Sequence, residues 1–269
     1  MDDIILPKTN TWCPGCGNFA IQDALKKVVS EMDRNNLVVV AGIGCHGKIY
    51  DHLNVNSVYA LHGRAIPLAT GIKVGNPDLK VICNVGDGDS YNEGVSHLVH
   101  AAKRNSNITV IVHDNRVFAL TVKQPTSTSP KGFVSSTSPD GSIEIPTNPL
   151  DVMMSYGATF VARGFSGKPD QLKRLITEGI EHKGFSFIEV LQPCVVWHNT
   201  YQAYHERCYE MEEEYMPYSK AKEKALEWDY NNDSNIPLGV FYQEEKPTFE
   251  EQLKEIHPVD IDKLMEDSK

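Results

Sequence analysis

Two apolar runs in this chain end in oxygen donors. Residues 81–85 read VICNV and stop at Gly86-Asp87-Gly88-Asp89; residues 108–112 read ITVIV and stop at His113-Asp114-Asn115. Asp87 and Asn115 lie 28 positions apart, each just past a strand-like segment. If the unit is β-α-β, the two strands are parallel and both side chains leave the same edge of the sheet, where open α/β sheets bind ligands. A carboxylate, an amide oxygen and a nearby backbone carbonyl are hard donors suited to Mg²⁺, which usually shares its shell with substrate phosphates. Gly86 and Gly88 let the backbone approach a diphosphate with no Cβ in the way. A Gly-Asp-Gly turn alone is common between a strand and a helix. The two strand ends and the spaced Asn make it a metal and phosphate reading.

The second signal is sulfur. Of six cysteines, Cys13 and Cys16 form Cys-Pro-Gly-Cys ahead of Gly17 and a helical run over 19–29. Cys45 follows a strand over 38–43, and Cys194 follows a strand over 185–191 in Gln-Pro-Cys. A Cys-x-x-Cys hook and two strand-end cysteines can converge on the edge that carries Asp87. Four thiolates satisfy a [4Fe–4S] cluster and equally a structural Zn²⁺; ligand type alone leaves both open. Cys83, inside a strand, reads as a small buried hydrophobe. Cys208, in a charged helical stretch, reads as a bystander. Chain size and metal-type spacing disfavour a disulfide framework.

These residues need a scaffold, and six strands are expected, over 38–43, 57–61, 80–85, 108–112, 159–162 and 185–191. Helical patterns between most of them predict a doubly wound, largely parallel α/β sheet. With 269 residues, 41% hydrophobic, the chain can bury one substantial core. No apolar run approaches the roughly 18–20 residues that span a bilayer, and residues 1–8 lack the regions of a secretory signal; a soluble, cytoplasmic protein is expected. His62-Gly63-Arg64 ends the strand over 57–61 on the same edge, so His62 could donate to a diphosphate or substrate oxygen, or simply cap a carbonyl. His113 reads as structural. The interval 124–150, rich in Ser, Thr, Pro and Gly, is expected to be a lid or a partner-docking loop.

Net charge is −10, and residues 210–269 carry 17 acids against 7 bases while the remainder balances. That distribution excludes the basic footprint of a nucleic-acid binder. Residues 1–209 are expected to form the α/β domain and 210–269 an acidic extension: a solvated helix over 210–228 and a surface arm, with the apolar IPLGVFY at 236–242 placed against the same domain or a partner.

Taken in order, TWCPGCGNFAIQDAL, GIGCHGKIY, LHGRAIPLATGIKVGNP, GDGDSYNEGVSH, HDNRVFALT, IPTNPLDVMMSYGATFVAR, IEVLQPCVVWH and the late IPLGVFY resemble the beta subunit of the 2-oxoacid:ferredoxin oxidoreductases, which are thiamine-diphosphate enzymes. The likeness covers nearly the whole chain. It implies the thiamine-diphosphate-binding fold and its diphosphate-binding domain, with Mg²⁺ held by the Asp87 and Asn115 side chains and the Val117 carbonyl. It implies a [4Fe–4S] cluster on Cys13, Cys16, Cys45 and Cys194. The thiamine site would be lined by Ile43, Gly44, Cys45, His46, Gly88, Asp89, Ala119 and Leu120, with His62, Gly63 and Gly86 beside them. Lys48 matches a lysine near the substrate in some relatives, where an ammonium could hold the substrate carboxylate; Lys48 and His62 are thus the catalytic candidates.

The resemblance further implies CoA-dependent oxidative decarboxylation of a 2-oxoacid such as pyruvate or 2-oxoglutarate, with electrons passed through the cluster to ferredoxin. The aminopyrimidine glutamate is expected from an alpha (or fused gamma-alpha) subunit, in a heterodimer or heterotetramer. One departure is plain. Where relatives often carry Leu-Thr-Lys-Gly-Gln or Leu-Thr-Gly-Gly-Gln, this chain has Leu120-Thr121-Val122-Lys123-Gln124, so substrate contacts of that loop are not carried over. Lys48 and the displaced Lys123 border the expected site, which leans toward a broad specificity that includes 2-oxoglutarate. Rival readings are a non-oxidative thiamine-diphosphate decarboxylase, which has no use for four converging cysteines, and a zinc-stabilised scaffold without chemistry.

Overall fold

A computed structural model describes residues 4–256. The six expected strands are present: β1 Leu37–Ala41, β2 Asn56–Tyr59, β3 Lys80–Gly86, β4 Thr109–Asp114, β5 Phe160–Phe165 and β6 Ser186–Leu191. They stand in the order β2-β1-β3-β4-β6-β5, every neighbouring pair parallel. Residues in a strand alternate between faces, and the central strands bury both. In β3, Val81, Cys83 and Val85 join one core while Ile82 joins the other; in β4, Val110 and Val112 oppose Ile111. That explains the unbroken apolar runs. Cys83 is fully buried in the first core, as its place in a strand implies.

One core is completed by α2 (Ala65–Gly75), α3 (Val95–Arg104) and α4 (Pro149–Ser155), through Ile66 and Ala69, Leu98 and Ala102, and Leu150 with Met153. The other is completed by α1 (Asn18–Val29) and α5 (Pro169–Glu181), through Ile21, Leu25 and Val28 against Leu172, Leu175 and Ile176. The sheet is therefore covered on both faces. After β1 the chain moves outward to β2, and after β3 it moves the other way to β4. The carboxyl ends of β1 and β3 thus flank the topological switch point, the crevice where doubly wound sheets take ligands.

The C-terminal quarter differs from its expected form. In place of a helix over 210–228, the chain runs through α6 (Tyr201–Arg207), β7 (Cys208–Glu210) and the short α7 (Tyr218–Ala225). The apolar stretch read as an arm is β8 (Ile236–Gln243), antiparallel to β5 and parallel to β7, which extends the sheet to eight strands. Burial is the reason: β8 keeps Ile236, Leu238, Val240 and Phe241 out of water. The pairing with β5 shifts register between Val161 and Ala162. Helix α8 (Phe249–Ile256) follows, and the acids beyond 256 lie outside the described residues. Among the described residues no helix is long and apolar enough to cross a membrane.

Candidate active site at the sheet edge

Because β1, β2, β3, β4 and β6 are parallel, their carboxyl ends share one edge. Cys45, His62, Asp87, Asn115 and Cys194 follow those five ends in turn. A cavity opens there, lined by Ile43, Gly44, Cys45, His46, His62, Gly86, Asp87, Gly88, Asp89, Asn115, Val117, Phe118, Ala119, Leu120 and Thr121. It brings together the expected Mg²⁺ donors and, apart from Gly63 just behind the wall, all the expected thiamine-lining residues.

The glycines in this wall have no room for a side chain. A Cβ on Gly86 would stand 2.5 Å from His46 Nδ1, and one on Gly88 would stand 2.2 Å from the Phe118 ring. Gly63 has φ +68, and its N–H donates to Asp89 Oδ1 at 2.8 Å. Gly88 begins a single π-helical turn, Gly88–Glu93, with Asp87 as its N-cap. Such turns recur at functional sites, and a helical N-terminus presents free N–H groups to anions.

Asp87 is buried at 2% exposure rather than standing on an open edge. Its carboxylate accepts from Thr126 Oγ1 at 2.7 Å. Burial pushes its pKa up to about 7, opposed by the Thr126 hydroxyl and by N–H groups including those of Gly88 and Asn115. Removing a carboxylate from water without a paired charge carries this cost. Asn115 accepts the Val117 N–H at 3.1 Å through Oδ1 and donates through Nδ2 to Gln192 Oε1 at 3.0 Å. Among the described residues, no three His, Cys, Asp or Glu are placed to clasp one ion. The Mg²⁺ set expected here contains only one such residue, Asp87; its other donors are amide and carbonyl oxygens.

Asp89 is also buried, and its pKa is raised by burial against the Gly63 N–H and nearby His62. His62 Nδ1 lies 3.1 Å from Asp89 Oδ1. Asp89 Oδ2 and His46 Nε2 face each other at 4.0 Å, both buried and both without a hydrogen-bond partner. Burial and the neighbouring His113 and His62 hold His46 neutral, well below the usual imidazole pKa. His113 lies between Asn18 Oδ1 at 2.8 Å and Asn84 Oδ1 at 3.2 Å. It is a buried structural histidine, its pKa lowered by burial to about 3.

A second cavity shares Cys45, Asn115 and Ala119 with the first and is lined as well by Cys13, Cys16, Cys194, Lys48 and Gln192. All four cysteines thus converge. Cys16 is pushed up to about 11, first by burial and then by the adjoining Cys45, Cys194 and Cys13 thiols. Trp12 Nε1 donates to the Cys45 carbonyl at 2.6 Å, and Gly17 N–H donates to the Pro193 carbonyl at 3.4 Å. These contacts pin the N-terminal hook against β1 and β6. Cys208 takes no part; it is half-buried beside β8.

Of the two lysines, Lys48 lines the second cavity and Lys123 lines neither. Lys48 Nζ faces the sulfur cavity and donates to the Thr11 carbonyl at 3.2 Å. Lys123 Nζ sits 5.3 Å from the Phe133 ring centroid, outside the lining of the first cavity. Val122 (φ 74) and Lys123 (φ 77) both occupy the left-handed region, which a β-branched residue enters at a cost of about 1–2 kcal/mol. The departure from a glycine-containing loop is therefore a strained turn at the cavity rim.

Sequence reasoning missed the supports. The start of the 124–150 loop is pinned rather than free: Thr126 holds Asp87, Thr128 Oγ1 donates to Asp114 at 2.8 Å, and Ser129 Oγ donates to the Arg116 carbonyl at 2.6 Å. Arg116 Nε donates to the Thr128 carbonyl at 2.7 Å and Nη2 to the Tyr230 carbonyl. Tyr230 stacks on Trp228 at 4.1 Å, and its hydroxyl joins the fully buried pair Arg163–Glu189, itself at 2.7 Å. The turn that carries Asn115 and Val117 thus rests on residues more than a hundred positions away. Only a Thr-x-Thr-Ser cluster after Gln124 hinted at it.

Fold and site together define a thiamine-diphosphate enzyme. The family model for the C-terminal thiamine pyrophosphate-binding domain of these enzymes matches residues 42–190, and that for the C-terminal part of pyruvate ferredoxin oxidoreductase beta subunits matches 194–258. The chain is 42% identical to the 2-oxoacid:ferredoxin oxidoreductase subunit beta of a Sulfolobus species over 95% of its length and 89% of that protein's. It is 34% identical to a 2-oxoglutarate synthase subunit of Methanocaldococcus jannaschii over 91% and 92% of the two chains. It superposes with a TM-score of 0.91, at 31% identity over 100% of this chain and 95% of the other, on 2-oxoglutarate:ferredoxin oxidoreductase from Magnetococcus marinus, solved with 2-oxoglutarate, coenzyme A and succinyl-CoA bound. The chain belongs to the beta subunits of the 2-oxoacid:ferredoxin oxidoreductases.

Proposed function

We propose that this subunit holds the diphosphate end of thiamine diphosphate, a Mg²⁺ ion and one [4Fe–4S] cluster on a single sheet edge, for CoA-dependent oxidation of a 2-oxoacid with ferredoxin as acceptor. The observation that carries this reading is Cys45, which lines both cavities and sets the sulfur site against the diphosphate cradle. The donors fit. Asp87, Asn115 Oδ1 and the Val117 carbonyl would hold Mg²⁺, the glycine wall would admit the diphosphate, and unpartnered Asp89 Oδ2 and His46 Nε2 await a polar group. Cys13, Cys16, Cys45 and Cys194 line one cavity, and the Cys16 thiol feels the charge of the other three, an arrangement that supports a four-thiolate cluster site.

When bound, thiamine diphosphate supplies a carbanion equivalent and an electron sink that let a 2-oxoacid lose CO₂. The chain's own residues supply position and proton control. Asp89 orients His62 so that Nε2 can take or give a proton at the cavity mouth. His46 stays neutral and can accept a hydrogen bond without adding charge. Lys48 lies by the sulfurs, where its charge lowers the Cys45 thiol against the upward push of burial.

The relatives' names as beta subunits support a partner that completes the cofactor site. Leu61 beside His62, and Leu120 and Val122 at the rim, are 78%, 49% and 53% exposed, apolar surface suited to such a partner. Specificity for pyruvate against 2-oxoglutarate is then read largely on the partner's side. The test is addition of 2-oxoacid and CoA, anaerobically, to the assembled enzyme. Substrate-dependent ferredoxin reduction supports the reading, and decarboxylation without reduction opposes it.

A further inference from the structure

One amide spans the two cavities. Gln192 is 1% exposed, and its own N–H donates to the Asp114 carbonyl at 2.8 Å, which extends the β6–β4 pairing to the metal turn. Its side-chain Oε1 accepts from Asn115 Nδ2 at 3.0 Å. Its Nε2 donates to the Pro193 carbonyl at 2.8 Å and lies 3.5 Å from Cys16 Sγ. The orientation of one end dictates the other. Asn115 can present its oxygen to a cation only if its NH₂ has an acceptor behind it, and Gln192 Oε1 is that acceptor. With Oε1 so engaged, the Gln192 NH₂ must point to Pro193 and to the sulfur.

We infer that Gln192 is a positioning residue for both groups. It locks Asn115 with its oxygen toward the metal, and it donates a hydrogen bond to the Cys16 thiolate that makes the cluster easier to reduce. The physical basis is general. Outer-shell partners orient metal ligands and are worth about 10- to 100-fold in metal affinity, and hydrogen bonds to cluster sulfurs shift reduction potential. A donor near sulfur stabilises the more negative, reduced cluster, so its loss moves the potential down. This inference rests on the proposed function and adds a residue that the thiamine and cysteine motifs do not contain.

Two substitutions separate the two ends. Gln192→Glu keeps an oxygen acceptor for Asn115 but offers the sulfur a negative charge in place of a donor. Gln192→Leu removes both contacts. In the assembled enzyme, purified without oxygen, iron content, cluster potential by redox titration, and Mg²⁺ affinity by thiamine diphosphate retention are measured together. Both variants should show a more negative cluster potential, and Gln192→Glu should keep Mg²⁺ affinity within a few-fold. Gln192→Leu should lose about 10- to 100-fold in Mg²⁺ affinity. An unshifted potential in Gln192→Glu, with iron retained, overturns the inference even if Gln192→Leu does not fold. A parent enzyme that holds no iron overturns the proposed function along with it.

Discussion

Asp87 should make the cofactor-free protein less stable, and the size of the effect can be worked out. Its carboxyl is buried, with a pKa raised to about 7 from 3.8. The folded state therefore holds a proton that the unfolded chain gives up between about pH 4 and 7, so stability falls as pH rises through that window. Three pKa units correspond to about 4 kcal/mol, a stabilisation fully present below about pH 4 and fully lost above about pH 8. Asp87→Asn removes this titration but turns an NH₂ toward N–H groups that need an acceptor, a cost of about 1–3 kcal/mol at any pH. The variant, stripped of cofactor in chelator, should be more stable than the parent by about 1–3 kcal/mol at pH 8.5 and less stable by a similar amount near pH 4. For a domain of this size that is a shift of several degrees in unfolding midpoint. Addition of Mg²⁺ and thiamine diphosphate should raise the parent's midpoint and leave the variant's unmoved. A variant that is destabilised equally at both pH values would refute the reasoning, because Asp87 would then be an ordinary turn residue.

Cys194→Ser should lose or labilise the cluster absorbance while Mg²⁺ and diphosphate binding persist; a full, stable cluster would remove Cys194 from the ligand set. Glu189→Gln leaves buried Arg163 without its charge partner, which should cost about 3–5 kcal/mol in unfolding free energy and weaken Mg²⁺ retention through Tyr230 and Arg116. A drop in stability with no change in Mg²⁺ retention would show that the network does not steady the metal turn. Gly88→Ala puts a methyl 2.2 Å from the Phe118 ring and should reduce thiamine diphosphate affinity at least tenfold by equilibrium binding, with an intact cluster spectrum; unaltered affinity would show that the cradle is not where the diphosphate sits.

The six parallel strands and their shared edge were legible because β3, β4 and β6 bury both faces and so read as plain apolar runs, each stopped by a turn residue that carries chemistry. The convergence of Cys13, Cys16, Cys45 and Cys194 followed from that geometry. β8 was not legible: Pro237 and Gly239 interrupt its pattern, and pairing with β7 and with β5, some 75 positions earlier, makes it a strand. The burial of Asp87 was hidden for the same reason, since Thr126 and the pinned loop close over it from a segment that composition marks as free. The partner of Lys48 was hidden as well: its neighbours in sequence place it at the sheet edge, and its amine there meets the Thr11 carbonyl, 37 positions earlier. Long-range contacts decided each case.

The central claim is that the four cysteines at this edge hold an iron–sulfur cluster beside the diphosphate cradle. Iron and acid-labile sulfide analysis of the assembled protein, purified without oxygen, tests it most directly. About four irons and four sulfides per chain are expected of a [4Fe–4S] cluster; zinc in their place, or no metal beyond Mg²⁺, would contradict it.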